Sequence, residues 1–233
     1  MALPKTIALD GPAAAGKTSV ASAVAQALGY LFVDTGAFYR AVTLAAIRAG
    51  VPSTAHAALV EVARRVRLDI GAASAGSTGQ YTVLLDGEDV TQAIRAPEVE
   101  ADVSAVSAVP GVRDVLNQRY RELAAAHERV IMAGRDIGTV VLPDADLKIY
   151  LDASPEVRAD RRYAQAVAEG RAASRQVTQK ALVGRDQYDS QRAVAPLRAA
   201  PDALRINTDA LDIAAVIARV LAAIHDWEPR SGG

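Results

Sequence analysis

The chain alternates short apolar runs with longer stretches whose apolar residues recur every three or four positions. Thr6–Asp10 is an apolar run that stops at Gly11, the mark of a buried strand. From Lys17 to Leu28, Val20, Ala21, Val24, Ala25 and Leu28 repeat at helical spacing, and Gly29 ends the pattern. Leu31–Asp34 reads as a second strand and Gly36–Ala49 as a second helix, closed by Gly50 with Pro52 beyond. Strand, helix, strand, helix in succession predicts a parallel sheet with crossover helices. Residues 54–95 differ in texture. A helix over Thr54–Arg65 precedes apolar runs at Val66–Ile70 and Tyr81–Leu85, joined by a glycine- and serine-rich turn from Gly71 to Gly79. Such short runs predict a small antiparallel sheet, inserted as a subdomain.

The parallel pattern then resumes. Pro97–Ala126 predicts two helices split at Pro110-Gly111, and Arg129–Ala133 and Leu147–Leu151 predict two more buried strands. Ser154-Pro155-Glu156 opens an arginine-rich helix that runs to about Gly170, with serine as cap and proline in the first turn. A helix over Thr178–Gln191, a strand at Ala203–Ile206 and an amphipathic helix over Leu211–Trp227 complete the chain.

Composition narrows the possibilities. The 233 residues allow one domain of good size with small insertions. Lys+Arg total 26 and Asp+Glu 27, so no broad basic face is available for a nucleic acid polymer. Cysteine is absent, which excludes disulfides, thiolate zinc sites and cysteine nucleophiles. No run approaches the ~20 apolar residues of a membrane span, and no signal sequence is evident. The expectation is a soluble cytoplasmic monomer without membrane partners. Only four of the 26 basic residues are lysines, which leaves 22 arginines. Their placement matters, because guanidinium forks suit phosphate.

Gly11-Pro12-Ala13-Ala14-Ala15-Gly16-Lys17-Thr18 fits G-x-x-x-x-G-K-[ST] between a predicted strand and a predicted helix. In such a loop the backbone N–H groups turn inward around phosphates, and the following helix adds its positive end. Residues Gly11 to Ser19 are therefore the candidate ATP site. Lys17 is placed to reach the β- and γ-phosphates, and the Thr18 hydroxyl to bind Mg²⁺. Switch GTPases carry an Asn-Lys-x-Asp guanine reader, but here Asn207 is followed by Thr208-Asp209. A motor ATPase is ordinarily longer. A kinase of a small acceptor fits best.

If the acceptor is itself a phosphate, several cations must surround the transfer point, and no general base is needed. Arg40 lies just past Asp34-Thr35-Gly36, and Arg135-Asp136 follow a strand end, where open α/β sheets bind ligands. Arg158, Arg161 and Arg162 lie on the helix after Leu147–Leu151, and Arg185, Asp189 and Arg192 share one helical face.

With these motifs in hand, the chain resembles the bacterial cytidylate kinase family nearly end to end. The resemblance rests on the phosphate loop, Asp34-Thr35-Gly36-Ala37-Phe38-Tyr39-Arg40, Gly134-Arg135-Asp136-Ile137-Gly138-Thr139-Val140-Val141 and Arg192-Ala193-Val194-Ala195-Pro196-Leu197. It implies an α/β fold of P-loop NTPase type: a five-stranded parallel sheet with surrounding helices, a small inserted α+β subdomain and a short helical lid at 154–172. Within one kinase domain it implies a monophosphate-binding region over 36–110. It implies transfer from ATP, with Mg²⁺, to CMP or dCMP. Thr35, Arg40, Arg135 and Arg192 match residues that hold the acceptor's phosphate. Ser104, Arg113 and Asp136 match residues that read cytosine, and Arg185 and Asp189 lie near the ribose. Lys17, Arg135, Arg158, Arg162 and Arg192 are the catalytic set, Arg158 and Arg162 covering the ATP phosphates from the lid.

Two departures stand out. Ala133 precedes Gly-Arg-Asp where the family has Asp, so the carboxylate beside the metal is expected from Asp10 or another acid. Ala13 and Ala14 replace Ser-Gly, which requires negative φ at both. Two other readings remain open at this level: a different acceptor, such as UMP or a hydroxylated metabolite, and a nucleotide-sensing protein without turnover.

Overall fold

The computed structural model describes residues 2–72, 80–168, 170, 174–192 and 194–229. The predicted turn at 71–79 falls almost wholly outside these residues, as do 169 and 171–173 of the expected lid. Strands β1 (Thr6–Asp10), β2 (Leu31–Asp34), β6 (Val130–Gly134), β7 (Leu147–Asp152) and β8 (Leu204–Asn207) form one parallel sheet, in the order β2-β6-β1-β7-β8. Its three inner strands are apolar on both faces: Ile7, Leu9, Ile131, Met132 and Leu151 are wholly buried. Continuous apolar runs rather than alternation are what a sheet covered on both sides requires.

Helix α1 (Lys17–Leu28) crosses between β1 and β2 and packs against the closing helix α8 (Ile213–His225). Helix α2 (Thr35–Arg48) starts one residue earlier than its glycine suggested, because the Asp34 carboxylate caps it by accepting the Ala37 N–H at 3.3 Å. Helix α3 begins at His56 rather than Thr54, running to Arg65, and packs on α5 (Pro110–Ala126). Helix α4 (Pro97–Ala108) and α5 each begin at a proline, so the split at Pro110 is real. Helices α6 (Pro155–Ala168) and α7 (Arg175–Gln191) pack side by side as the outermost pair.

Between α3 and α4, strands β3 (Leu68–Ala72), β4 (Tyr81–Leu85) and β5 (Glu88–Asp89) form the expected antiparallel sheet. It has no core of its own. Leu59, Val83, Leu85 and Val90 join the same apolar cluster as the central sheet. Tyr81 docks edge-on to Phe32 of β2, with ring centroids 5.6 Å apart. The insert is thereby anchored beside the phosphate loop.

The chain leaves β1 through Gly11, at φ 151°. A Cβ there would lie 2.1 Å from the Leu151 carbonyl oxygen. The expected effect of Gly11→Ala is a loss of about 3 kcal/mol or more of stability, since both the φ and the close approach must give way. Urea denaturation of the variant measures it, and an unchanged midpoint would show that the turn is free to move.

Candidate functional site

A cavity of about 1090 Å³ opens at the carboxyl end of the sheet. Its floor is the phosphate loop, and its walls come from α2, α4, α6, α7 and the turn after β6. Open parallel sheets bind ligands at this edge. Residues Ala13 to Ser19 line it, whereas Gly11 and Pro12 lie beneath. The Pro12 carbonyl accepts a 2.6 Å bond from Lys17 Nζ. Lys17 is buried, and burial together with the nearby Arg135 charge holds its ammonium well below the usual lysine range.

Ala14 corrects the sequence expectation: its φ is +60°. The loop needs a left-handed residue here, which glycine accepts freely and alanine does not. Ala14→Gly should be neutral to stabilising by about 0.5–1 kcal/mol, because relief of the left-handed strain outweighs the added freedom of the unfolded chain. Thermal unfolding of the two forms tests this, and a clear loss in the glycine form would contradict it.

Arg158 also departs from expectation. It does not reach the cavity. Its guanidinium is buried beneath the loop, donating to the carbonyls of Ala153 at 2.9 Å and Ala13 at 3.1 Å and pairing with Asp186 at 2.5 Å. It is a strut between α6, α7 and the phosphate loop. Arg161 braces Thr208 of the turn after β8, donating to its hydroxyl at 2.9 Å and its carbonyl at 2.7 Å. Arg162 lines the cavity.

Five arginines gather on two acids of the cavity wall. Arg135 donates to Asp189 at 3.1 Å, and Arg192 lies 3.8 Å from the same carboxylate. Arg40, Arg185 and Arg162 converge on Glu100 of α4, at 2.8, 3.2 and 4.0 Å. Burial, and then the charges of Arg135 and Arg40, bring the Arg185 guanidinium down to about 10. Buried donors remain without a protein partner: Nε of Arg40, Nε of Arg185 and Nη2 of Arg192. Unsatisfied buried donors on crowded cations mark a place for an anion. Thr35 is held just below, donating to the Ala133 carbonyl at 2.9 Å while its own carbonyl accepts from Tyr120.

Deeper in the cavity, Arg113 forms a buried ion pair with Asp136. The Arg113 guanidinium lies 5.5 Å from the centre of the Tyr39 ring, whose hydroxyl has no protein partner. Ser104 is not among the lining residues. Ser107, one turn later, takes that place beside Val103 and donates its hydroxyl to the Ser104 carbonyl. Asp136 also begins a single π-helical turn over Ile137–Val141, in which the N–H of Val141 and of Leu142 reach carbonyls five residues back.

The two candidate metal carboxylates behave differently. Asp10 accepts the Ile137 and Gly138 N–H groups at 2.9 and 2.8 Å and so holds the β6 turn. Asp34 instead accepts from the Thr18 hydroxyl at 3.1 Å and from the Tyr81 hydroxyl at 3.0 Å, and lies in register with Ala133 on β6. Nothing local in the sequence marks Asp34 for this, since it lies 16 residues beyond Thr18 and meets it only in the folded sheet. Burial raises the Asp10 carboxyl to about 6, against the donated bonds. The fold therefore disfavours its ionised form above that pH, and acidification from pH 7 relieves the penalty. The stability of the wild type relative to Asp10→Asn should rise by about 2 kcal/mol between pH 7 and 4.5, measured by urea unfolding. A pH-independent difference would mean that Asp10 titrates normally.

A phosphate loop on the central strand, facing a pocket of convergent arginines across the sheet edge, defines a P-loop kinase. The cytidylate kinase family model matches residues 7–226. The chain is 48% identical over 220 residues to a cytidylate kinase of Rhodococcus jostii strain RHA1, covering 94% of each chain. It is 44% identical over 220 residues to one of Desulfitobacterium hafniense strain Y51, covering 94% of this chain and 92% of the other. An uncharacterized protein from Eubacterium ventriosum has a similar fold (TM-score 0.51, 10% identity, 95% of this chain and 98% of that one). The chain belongs to the cytidylate kinase family, and its enzymatic class is nucleoside monophosphate kinase. Among the described residues, no helix is long and apolar enough to cross a membrane.

Proposed function

We propose that the enzyme transfers the γ-phosphoryl group of ATP to CMP and dCMP, giving ADP and CDP or dCDP. The observation that carries this reading is the buried Asp136–Arg113 pair at the end of an arginine-lined pocket. Cytosine presents a donating amino group at C4 and accepting N3 and O2 atoms. A carboxylate beside a guanidinium matches that order, and uracil reverses it at C4 and N3. Tyr39, with its free hydroxyl against Arg113, forms the adjoining wall.

In the reaction, an oxygen of the CMP phosphate attacks the γ-phosphorus. The bond from the γ-phosphorus to the β,γ-bridging oxygen breaks, and that oxygen leaves on ADP. The attacking phosphate is already anionic, so no side chain has to remove a proton. The loop N–H groups and Lys17 hold the donor phosphates. Arg40, Arg135, Arg185 and Arg192 hold the acceptor, with Arg162 reaching the transfer point from α6. The hydroxyl of Thr18, with the Asp34 carboxylate behind it, is the hard-oxygen set that suits Mg²⁺. Bound there with the ATP phosphates, Mg²⁺ would neutralise charge as the bridging bond breaks. Closure of the α6–α7 pair over the loop would exclude water from the γ-phosphate.

Asp136→Asn tests the base reading. It should lower kcat/KM for CMP by about a hundredfold, through loss of a charged hydrogen bond in a buried site, and leave KM for ATP nearly unchanged. An ADP-release assay across CMP, dCMP, UMP and AMP measures this, and an equal loss for ATP and CMP would remove Asp136 from base recognition.

A further inference from the structure

Glu100 is a charged group of the pocket that the proposed transfer does not use. Its carboxylate is where an incoming phosphate would be expected. Oε2 takes Nη2 of Arg40, and Oε1 takes Nη1 of Arg185, with Nη2 of Arg162 at 4.0 Å. The three guanidinium groups come from three separate elements, α2, α7 and α6, and meet on this one acid of α4. The Glu100 side chain is 40% exposed, whereas the Arg40 and Arg185 side chains are 21% and 26% exposed. The acid is thus nearer to water than the two arginines it pairs with. Both arginines also keep a buried Nε unpartnered while Glu100 is bound, so a two-oxygen carboxylate does not saturate them. A phosphate dianion, with more charge and a third oxygen, would.

We propose that Glu100 is an internal counter-anion. It neutralises the acceptor-phosphate arginines when the pocket lacks substrate, and the acceptor's phosphate displaces it. This inference rests on the proposed function, and it moves Arg185, expected near the ribose, to the acceptor's phosphate because it shares Glu100 with Arg40. Two consequences follow from charge alone. Without Glu100 the ligand-free protein carries uncompensated, mutually repelling cations, and its stability depends more strongly on added anions. With Glu100 in place, each acceptor must compete for its site, which weakens binding of both the substrate and the phosphorylated product and favours release.

Titration calorimetry on the full chain tests this, with CMP, cytidine and inorganic phosphate as probes. Glu100→Gln, which keeps shape and removes charge, should bind CMP and phosphate about three- to tenfold more tightly and leave cytidine unchanged. Its ligand-free melting temperature should fall, and the rise on adding phosphate should exceed that of the wild type. Glu100→Asp, too short to reach both arginines, should shift CMP affinity in the same direction by less, and it serves if Glu100→Gln folds poorly. Arg185→Gln should weaken CMP in either case. Unchanged or weaker CMP binding in both Glu100 variants, with Arg185→Gln still weakened, would overturn the proposal and make Glu100 a residue that holds the arginines in position. Unchanged CMP binding in Arg185→Gln would instead overturn the assignment of the arginines themselves.

Discussion

Like charges held close together must be restrained, and this site gathers Lys17 with Arg40, Arg113, Arg135, Arg185 and Arg192 around one cavity. In water such groups would separate. Here each is tethered to rigid structure or to an acid that offsets it: Lys17 to the Pro12 carbonyl, Arg135 and Arg192 to Asp189, Arg113 to Asp136, and Arg40 and Arg185 to Glu100. The acids come from two helices and one strand-end turn. The repulsion is therefore carried by the packing of the whole α/β frame rather than by any one loop. Burial first, and the neighbouring arginine charges after it, lower the ionisation of Arg185 and Lys17, and a bound polyanion would offset both.

The frame is built to bear that load. Strand β1 lies in the middle of the sheet with partners on both sides, so the turn that follows it rests on the most rigid strand available. Asp10 ties the end of β1 to the turn after β6, and Arg158 ties the loop to α6 and α7. From the other side, Tyr81 of the insert reaches Asp34 and through it Thr18. The insert and the phosphate loop are thus joined through partly buried polar contacts.

Much of this was legible in the residues themselves. The central strands announce themselves as apolar runs, and the phosphate loop by glycines and a lysine at fixed spacing. Arg135 and Asp136 are conspicuous because they follow a strand end. What sequence did not show depends on neighbours far along the chain. Ala14 takes a left-handed φ because the closed loop imposes it, not because alanine prefers it. Arg158 and Arg162 are four residues apart on one helix, yet one is buried under the loop and the other lines the cavity, a difference set by the contact with α7. Ser107 rather than Ser104 lines the pocket because of the rotation of α4 about its axis. Nothing local marks Glu100, whose three partners lie 60, 62 and 85 residues away.

The buried Arg158 strut also sets the mechanics of the outer helices. It fixes α6 within its first turn, and the rest of the helix projects from that anchor as a lever. Residue 162 lies about 6 Å beyond the anchor and residue 168 about 15 Å beyond it, at 1.5 Å per residue. A rotation of about 15° about the anchor carries Arg162 through about 1.5 Å and the helix end through about 4 Å, by the same helical rise. The phosphate loop, bonded to the pivot, would stay still in such a rotation while the far end swept. Small angular play at one buried guanidinium would be geared into a large displacement at the rim and a fine adjustment beside the loop.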